Sequence, residues 1–540
     1  MFQPFFTHLS KNRSIEQLQI EPEFPDLTDD VDTLFENLAP FFEFNYKLRC
    51  IIFSSLNCNC TNIQPLCSAL HRMNSNRLEM IHLEDCDIDD DGLTCLIDAF
   101  ISMPGLHILA DLHLQGNNIG NDGCKKLSEL LENPSSGIQR LGLQDNEFDD
   151  AGLAIIVSAL LKNNTLKSLH LSRIGVIGRK LTPKSWGHLS RFLESPSCLL
   201  EELFLMGDPN VEDNYCVLDD DGATYLGQAF AINNTLKILD FSMLAIESSL
   251  GQGEIARGCF CPGSGLEEIN LSWTRINDKL ALRLFKSLST NTRFKKLDMG
   301  SNRRITAQGW IQCFHLLQNA VVPMEYLDVS YNNINDAGAN ILVDWISAKT
   351  VTLQHLRIDN NQITANGLTM FARVIHQTSS SKLKYLRILS DFEPTNLKVG
   401  VVKCLATALA NNISLEFFAI GKCTVAGVNA FADILCDKSN GIASIFNSNH
   451  TWCDMHEDVP CRPCRLTSLL EMNWNENKEE VVRDKIFTYY LSDSEPTRNV
   501  FGSMSETLLP TAIAWIGRAR NGYSVMYDLV RSVPFAIVGH

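Results

Sequence analysis

The chain has no apolar run long enough to cross a membrane, and its basic residues are few relative to its acidic ones. Its most apolar stretch, LLPTAIAWIG, is about half the length of a membrane-spanning helix. Lys and Arg total 46 against 63 Asp and Glu, which gives a formal net charge of −17. Because an acidic surface repels nucleic acid and anionic lipid, we expect a protein partner of basic or neutral character.

The sequence also lacks the motifs of common nucleotide-binding and hydrolytic enzymes. It contains no GxxxxGK[ST] phosphate loop, no HExxH motif and no nucleophile elbow. The opening residues, MFQPFFTHLSKNRSIEQ, include no apolar segment of signal-peptide length. These absences predict a non-catalytic protein of the cytoplasm, with the nucleus as an alternative. Its 18 cysteines are then expected to be reduced thiols.

A pattern of the form LxxLxLxxNxI recurs along most of the chain. The clearest copies are LADLHLQGNNI from Leu109, IQRLGLQDNEF from Ile138, MEYLDVSYNNI from Met324 and LQHLRIDNNQI from Leu353. Weaker copies begin at Ile15, Leu48, Leu78, Leu166, Leu200, Leu236, Leu266, Phe294, Leu383, Leu415 and Ile442. The mean spacing is about 30 residues, a period typical of stacked repeats.

Each copy predicts a short strand followed by a helix. Alternate apolar residues of LxLxL lie on one face of a strand, and the asparagine bonds backbone groups where the chain leaves it. Sequences such as DDDG at Asp89–Gly92 and Asp219–Gly222 are typical helix N-termini. Because every connection is alike, the strands are predicted to be parallel, with all helices on one side of a curved solenoid.

This repeat resembles the ribonuclease-inhibitor type of leucine-rich repeat, which also occurs in Ran GTPase-activating proteins and in NLR sensor arms. The resemblance covers roughly residues 15–450. It implies an α/β leucine-rich-repeat solenoid, or horseshoe, with a parallel concave sheet, convex helices and protein binding on the concave face. The stretches NWNENK, LPTAIAWIGR and MYDLVRSVP resemble the C-terminal extension of a group of uncharacterised algal leucine-rich-repeat proteins.

Three segments are predicted along the chain. Residues 1–14 form a lead-in, residues 15–446 form the solenoid of about fifteen repeats, and residues 447–540 form a Cys/His loop with a small helical cap. A cap is expected because an open solenoid end exposes apolar surface. Between residues 172 and 265, the inserts SRIGVIGRKLTPKSWG and GDPNVEDNYCVLDDDG are predicted to protrude as loops.

The stretch HTWCDMHEDVPCRPC, His450–Cys464, has two interpretations. Its C-x2-H-x4-C-x2-C spacing permits a structural zinc site on Cys453, His456, Cys461 and Cys464. The alternative is a loop with reduced thiols, expected where the last repeat meets the cap. A closed four-ligand site leaves no open position for catalysis, so neither interpretation names a function, and no other cofactor is expected.

The outward position between the two inner leucines predicts a binding surface. Along the repeats it carries histidines, then Asp or Asn, then arginines, and aromatic residues lie beside it, as in binding hot spots. The predicted partner-binding residues are His82, His113, His170, Asp240, Asn270, Trp273, Asp298, Tyr326, Asp328, Tyr331, Arg357, Tyr385 and Arg387. A solvated polar face without a partner is the alternative for the same residues.

The main functional hypothesis is a non-enzymatic scaffold that binds a protein partner in its concave face. Like charges at strand spacing repel, so Asp298 and Asp328 would favour a basic partner. One alternative is a GTPase activator of the Ran type. Another is a regulatory or sensor-like arm that binds through the inserts between residues 172 and 265.

Overall fold

The computed structural model describes residues 9–490 with internal gaps. The residues left out of the description within that range are 10–11, 13, 22–30, 74–76, 104, 173–181, 208–217, 247–248, 262, 319, 321, 349, 377–381, 390–396, 438–443, 446–447 and 455–464. The chain divides into two compact units, Met1–Arg304 and Ile305–His540. Both units repeat the predicted strand and helix.

The first unit contains ten described strands that pair in parallel and in sequence order. They are β1 Gln17–Ile20, β2 Cys50–Ser54, β3 Met80–Glu84, β4 Asp111–His113, β5 Arg140–Gly142, β6 Ser168–His170, β7 Glu202–Phe204, β8 Ile238–Asp240, β9 Glu268–Asn270 and β10 Lys296–Asp298. Between them run the helices α1 Val31–Phe44, α2 Gln64–Arg72, α3 Asp90–Ser102, α4 Asn121–Glu132, α5 Asp150–Leu160, α6 Pro183–Glu194, α7 Asp220–Ile232, α8 Ser249–Phe260 and α9 Asp278–Leu288.

The second unit repeats the arrangement with four described strands, again parallel and in sequence order. They are β11 Tyr326–Asp328, β12 His355–Arg357, β13 Tyr385–Ile388 and β14 Phe417–Ile420. Its helices are α10 Ala307–Gln318, α11 Asp336–Ile346, α12 Ala365–Met370, α13 Ala372–His376, α14 Val399–Ala410, α15 Val425–Leu435, α16 Arg465–Asn473 and α17 Lys478–Lys485, followed by a π-helical turn at Ile486–Tyr490. The α/β prediction is confirmed, and no described helix is long and apolar enough to span a membrane.

The core of each unit lies between its strands and its helices. In β3, for example, Ile81 and Leu83 are 2% and 0% exposed, while the alternating residues Met80, His82 and Glu84 are half-buried. The apolar residues that begin the repeats, such as Leu48, Leu78 and Leu353, are also buried. Alternation along each strand therefore gives one face to the core and the other to a polar surface, here called the open face.

Buried asparagines bond backbone groups at the strand ends, as predicted, and they also join successive repeats. Asn117 is 3% exposed, and its Nδ2 donates to Leu83 O and Leu114 O. Its Oδ1 accepts from the backbone N–H groups of Cys86 and Ile88. One side chain thus pairs backbone groups that would otherwise be buried without partners, and it does so across two neighbouring repeats.

The acidic DDDG segments are helix caps. Asp89 Oδ1 accepts from Gly92 N at 2.7 Å, and Asp219 Oδ1 accepts from Gly222 N at 2.8 Å. Both residues have extended backbones directly before a helix, as N-caps do.

Replacing the cap Asp219 by alanine should lower the free energy of unfolding by about 1 kcal/mol. The matched control is Asp221→Ala, because Asp221 is an exposed residue in the first turn of the same helix. Chemical denaturation of the full chain checks the difference between the two variants. Equal shifts for both would show that general negative charge, rather than the cap hydrogen bond, stabilises this helix start.

The repeat pattern continues beyond the predicted boundary at residue 446. Ile442, the predicted start of the last copy, lies outside the described residues. Asn449 accepts from Thr451 N and Trp452 N, as Asn412 accepts from Ser414 N and Leu415 N one repeat earlier. Trp452 is fully buried in the position of that leucine, and the following Asp454 forms a parallel bridge to Phe417. The sheet edge therefore gains a strand-like segment at Cys453–Asp454.

Candidate functional site

The open face of the first unit carries the predicted row of residues in neighbouring strands. Strand pairing places His82 opposite His113, and Gly142 lies between His113 and His170. The row then runs through Phe204, Asp240, Asn270 and Asp298. The register predicted from the repeat is correct at each of these strands, because a constant spacing keeps the same residue of every copy on the same face.

Aromatic rings stack along the first half of this row. The His82 and His113 rings are 4.2 Å apart and stacked, and those of His170 and Phe204 are stacked at 4.0 Å. The His113 and His170 rings approach to 5.6 Å across Gly142. A Cβ at Gly142 would lie 3.1 Å from the His113 ring, so the glycine makes room for this approach.

A buried carboxylate lies beneath the paired histidines. Asp111 belongs to β4, two residues before His113 on the same face, and it is 4% exposed. His113 Nε2 lies 3.0 Å and His82 Nε2 lies 3.6 Å from Asp111 Oδ1. Arg140 Nε donates to Asp111 Oδ2 at 2.9 Å. Burial raises the pKa of Asp111, but the close approach of the His113 and His82 rings and the hydrogen bond from Arg140 outweigh it and hold the pKa well below its usual range.

His170, in contrast, is neutral at physiological pH. Burial lowers the pKa of His170 to about 4, the nearby His113 adds to the shift, and Asp111 opposes it. His170 therefore adds no positive charge to this row near neutral pH.

The second half of the row is acidic. Asp240 Oδ1 accepts from Ser242 N at 2.8 Å, and its Oδ2 accepts from Asn270 Nδ2 at 3.0 Å. Asp298 Oδ1 accepts from Gly300 N at 2.8 Å. These bonds fix the turn that follows each strand.

A half-exposed tryptophan lies three residues after Asn270. Trp273 has a φ of 60°, in the left-handed region, and is 52% exposed. The corresponding residues of the flanking repeats, Met243 and Ser301, have φ values of 62° and 57°, and the equivalent Asp85 is left-handed as well. The left-handed turn is therefore a feature of the repeat, and the exposure of a large indole is what distinguishes Trp273. Nothing in the sequence pattern predicted this conformation.

The second unit carries a stack of aromatic rings on its open face. It begins with Tyr326 and His355, whose ring centroids are 6.2 Å apart, and continues to Tyr385 at 5.8 Å. Tyr385 and Phe417 are 4.1 Å apart and nearly coplanar, with an interplanar angle of 5°. Tyr331 is 37% exposed and also left-handed, with a φ of 58°. The sequence predicted Tyr326 and Tyr385 as binding residues but not His355, which lies between them at the equivalent position of the repeat.

The predicted charges of the second unit compensate one another within the chain. Asp328 is 4% exposed and lies 3.3 Å from Arg357 Nε. Asp359, 1% exposed, lies 2.9 Å from Arg387 Nε and 3.9 Å from Arg357. Asp328 therefore does not present a free charge to a basic partner, although its role in binding stays a prediction. Burial raises the pKa of Asp359 despite the two arginines and a bond from Leu389 N.

A line of alternating charges marks the edge of the first unit's sheet where strands β6–β10 begin. Lys167 and Lys237 both pair with Glu201, and Lys295 pairs with Glu267. Glu267 also raises the pKa of Lys237, after the larger effect of Glu201. We refer to these five residues as the charged rim. They are partly exposed, so each pair contributes little to stability, about 0–1 kcal/mol.

The Cys/His stretch is described only at its start. His456, Cys461 and Cys464 lie outside the described residues, so the zinc prediction stays a prediction. Cys453 is half-buried, and Cys453 N donates to Glu416 O at 2.9 Å in the strand-like segment. His450 Nδ1 is 3.0 Å from the buried Nζ of Lys485. The inserts between residues 172 and 265 likewise fall largely outside the described residues, at 173–181 and 208–217.

Comparison with known proteins agrees with this repeat geometry. A family model described as "Leucine Rich repeat" matches residues 75–96, 107–128, 323–340 and 351–372. The ribonuclease inhibitor of Mus musculus is 23% identical over 444 residues, which cover 75% of this chain and 92% of that protein. NACHT, LRR and PYD domains-containing protein 14 of Mus musculus is 26% identical over 324 residues, which cover 60% of this chain. The matched region spans only 28% of that relative's length.

Among solved structures, an internalin from Listeria monocytogenes aligns with 68% of this chain and 86% of its own, at 15% identity and a TM-score of 0.36. A similarity this low supports no conclusion about function.

Parallel strands in sequence order, the asparagine ladder and the family match define a leucine-rich-repeat protein. Within that class, the repeats of this chain are similar to those of the ribonuclease-inhibitor-like type. Proteins of this type generally bind other proteins.

Proposed function

We propose that the chain is a non-catalytic scaffold of the cytoplasm that binds a protein partner on the open face of its first unit. The binding surface consists of Asp240, Asn270, Asp298 and Trp273. The observation that carries this proposal is the half-exposed indole of Trp273, which lies three residues after Asn270. Tryptophan is enriched in binding hot spots, since a large rigid ring adds contact area at little entropic expense.

The charge of this surface favours a basic segment of the partner. Asp240 and Asp298 lie two strands apart in one row, with only Asn270 between them. Glu202 and Glu268 lie two strands apart on the same face, on either side of Ile238, and of these Glu268 is paired with Lys296 at 2.8 Å. Carboxylates near an exposed aromatic ring attract Lys or Arg, by charge and by cation–π contact with Trp273.

The test is affinity capture from native extract with three full-length baits: wild type, Trp273→Gly and Ser301→Gly. Glycine fits a left-handed backbone without strain, so both variants should fold with stability within about 1 kcal/mol of wild type. Ser301→Gly serves as the control, because it introduces glycine at the equivalent left-handed position of the next repeat. We expect a protein that wild type and Ser301→Gly capture alike and that Trp273→Gly loses.

The captured protein is then purified and titrated against each bait. Loss of the tryptophan should weaken binding about 30-fold, because a hot-spot side chain contributes about 2 kcal/mol or more. Equal affinities for Trp273→Gly and Ser301→Gly would contradict the proposed surface. Faster nucleotide hydrolysis by a captured small GTPase would instead support the activator alternative.

A further inference from the structure

We propose that His82, Asp111 and His113 form a binding site for a divalent transition-metal ion such as Zn²⁺. The three ligand atoms, one from each residue, all lie within 4.8 Å of one another. Two imidazoles and one carboxylate are a ligand set that suits zinc and related first-row ions. This site is separate from the surface around Trp273, and it does not depend on the proposed protein partner.

The strand register holds the three ligands in place. His82 and His113 are directly opposite one another in the parallel pair of β3 and β4, and Asp111 precedes His113 by two residues on the same face. All three side chains therefore project from a rigid sheet rather than from a loop. Ligands bound to one zinc ion at about 2.0–2.2 Å lie about 3–3.5 Å apart. The separations of 3.0 and 3.6 Å from Asp111 Oδ1 to the two Nε2 atoms fall close to that range.

Two of these atoms are buried without a hydrogen bond of good geometry. They are His82 Nε2 and Asp111 Oδ1, and they face each other. A buried polar atom without a partner costs about 1–3 kcal/mol, so native proteins rarely keep one without a reason. An ion between His82, His113 and Asp111 would coordinate both atoms at once.

The surroundings have the features that orient metal ligands. His82 Nδ1 lies 3.5 Å from Glu84 Oε1. A carboxylate near this nitrogen can orient the ring so that Nε2 is directed at a metal ion. Arg140 binds Asp111 Oδ2 at 2.9 Å and leaves Oδ1 directed at the histidines. The charge of Arg140 opposes a cation, whereas Asp111 and Glu84 together carry two negative charges that favour it. Three protein ligands leave at least one coordination position open toward the open face.

Zinc binding by the purified full-length chain tests this site. The predicted zinc site at the Cys/His stretch is first disabled with Cys453→Ser, so that a difference between variants reports on the histidines. The metal-stripped protein is then titrated with Zn²⁺ in competition with a chromophoric chelator. We expect one zinc ion per chain in this background and at least 100-fold weaker binding after His82→Phe, which keeps an aromatic ring against His113.

His170→Phe is the matched control, since it makes the same substitution in the same row at a residue outside the ligand set. It should bind zinc like the parent chain. Asp111→Asn gives a second test that preserves the shape of the side chain, and circular dichroism confirms that each variant is folded. Cobalt substitution adds a spectroscopic readout, because nitrogen and oxygen ligands give visible bands without thiolate charge transfer. Equal zinc affinity in the parent, His82→Phe and Asp111→Asn chains would overturn the proposal.

Discussion

Asn117→Ala should lower the free energy of unfolding of the first unit by about 4 kcal/mol, one of the largest effects expected from a single substitution. The side chain pairs the backbone N–H groups of Cys86 and Ile88 with its Oδ1, and three backbone carbonyls with its Nδ2. Alanine fills none of these roles, and the site is 3% exposed, so water does not easily replace the amide.

The neighbouring residue provides the control for this effect. Asn118 is the same residue type one position later, but it is exposed. Asn118→Ala should therefore change the free energy of unfolding by less than about 0.5 kcal/mol. Chemical denaturation gives the overall difference, and hydrogen exchange at the amides of Cys86 and Ile88 should be faster only in Asn117→Ala. Similar exchange in the two variants would show that the amide ladder does not hold these repeats together.

Lys485→Met should abolish a strong pH dependence in the stability of the last helices. Lys485 is fully buried, and its Nζ lies 3.1 Å from Asn449 O and 3.0 Å from His450 Nδ1. Burial lowers the pKa of Lys485 to about 7; Cys436 opposes the shift and Lys478 adds to it. In the unfolded chain the pKa of a lysine is about 10.4.

The sign of the effect follows from proton binding. Between pH 7 and pH 10 the unfolded chain binds more protons at Lys485 than the folded chain, so stability rises with pH in this window. Below pH 7 both states are protonated, and the full penalty of burying the ammonium, about 5 kcal/mol, applies. Methionine is similar in length to lysine and carries no charge. The stability of the last helices in Lys485→Met should therefore not vary between pH 7 and pH 10. Asn449 O keeps a second donor, Asn473 Nδ2, at 3.4 Å.

Hydrogen exchange of α16 and α17, corrected for the intrinsic pH dependence of exchange, measures this effect at pH 6 and pH 9.5. Arg483→Met is the matched control, because Arg483 is a partly exposed basic residue in the same helix, paired with Asp484. It should retain the pH dependence of wild type. A pH dependence that persists in Lys485→Met would assign the titration to another group.

The strands and their register could be predicted because the repeat keeps one spacing over most of the chain. The same constancy predicts that His82, His113 and His170 lie in one row, as the strand pairing shows. Asp111 could not be singled out in this way. Its burial depends on ring positions and on Arg140, which the repeat pattern does not encode.

The exposure of the predicted acidic residues likewise depends on side-chain packing that the sequence pattern does not show. Asp240 and Asp298 keep partly exposed positions, whereas Asp328 is buried against Arg357. The sequence shows the same residue type at equivalent positions in each case, so only packing separates them. The left-handed backbone at Trp273 recurs at the equivalent Met243 and Ser301, so it belongs to the repeat, but the varied residue types at this position give no sequence signal for it.

The charged rim limits how this protein can have grown by gene duplication. Along β6–β10 the rim reads Lys167, Glu201, Lys237, Glu267 and Lys295, so its sign reverses with every repeat. Copying or deleting one repeat there would set two like charges side by side, which is destabilising in neighbouring strands. Copying two together preserves the alternation. The smallest segment that can be inserted into or removed from this region without repulsion is therefore a pair of repeats, which is also the natural module for lengthening the protein by design.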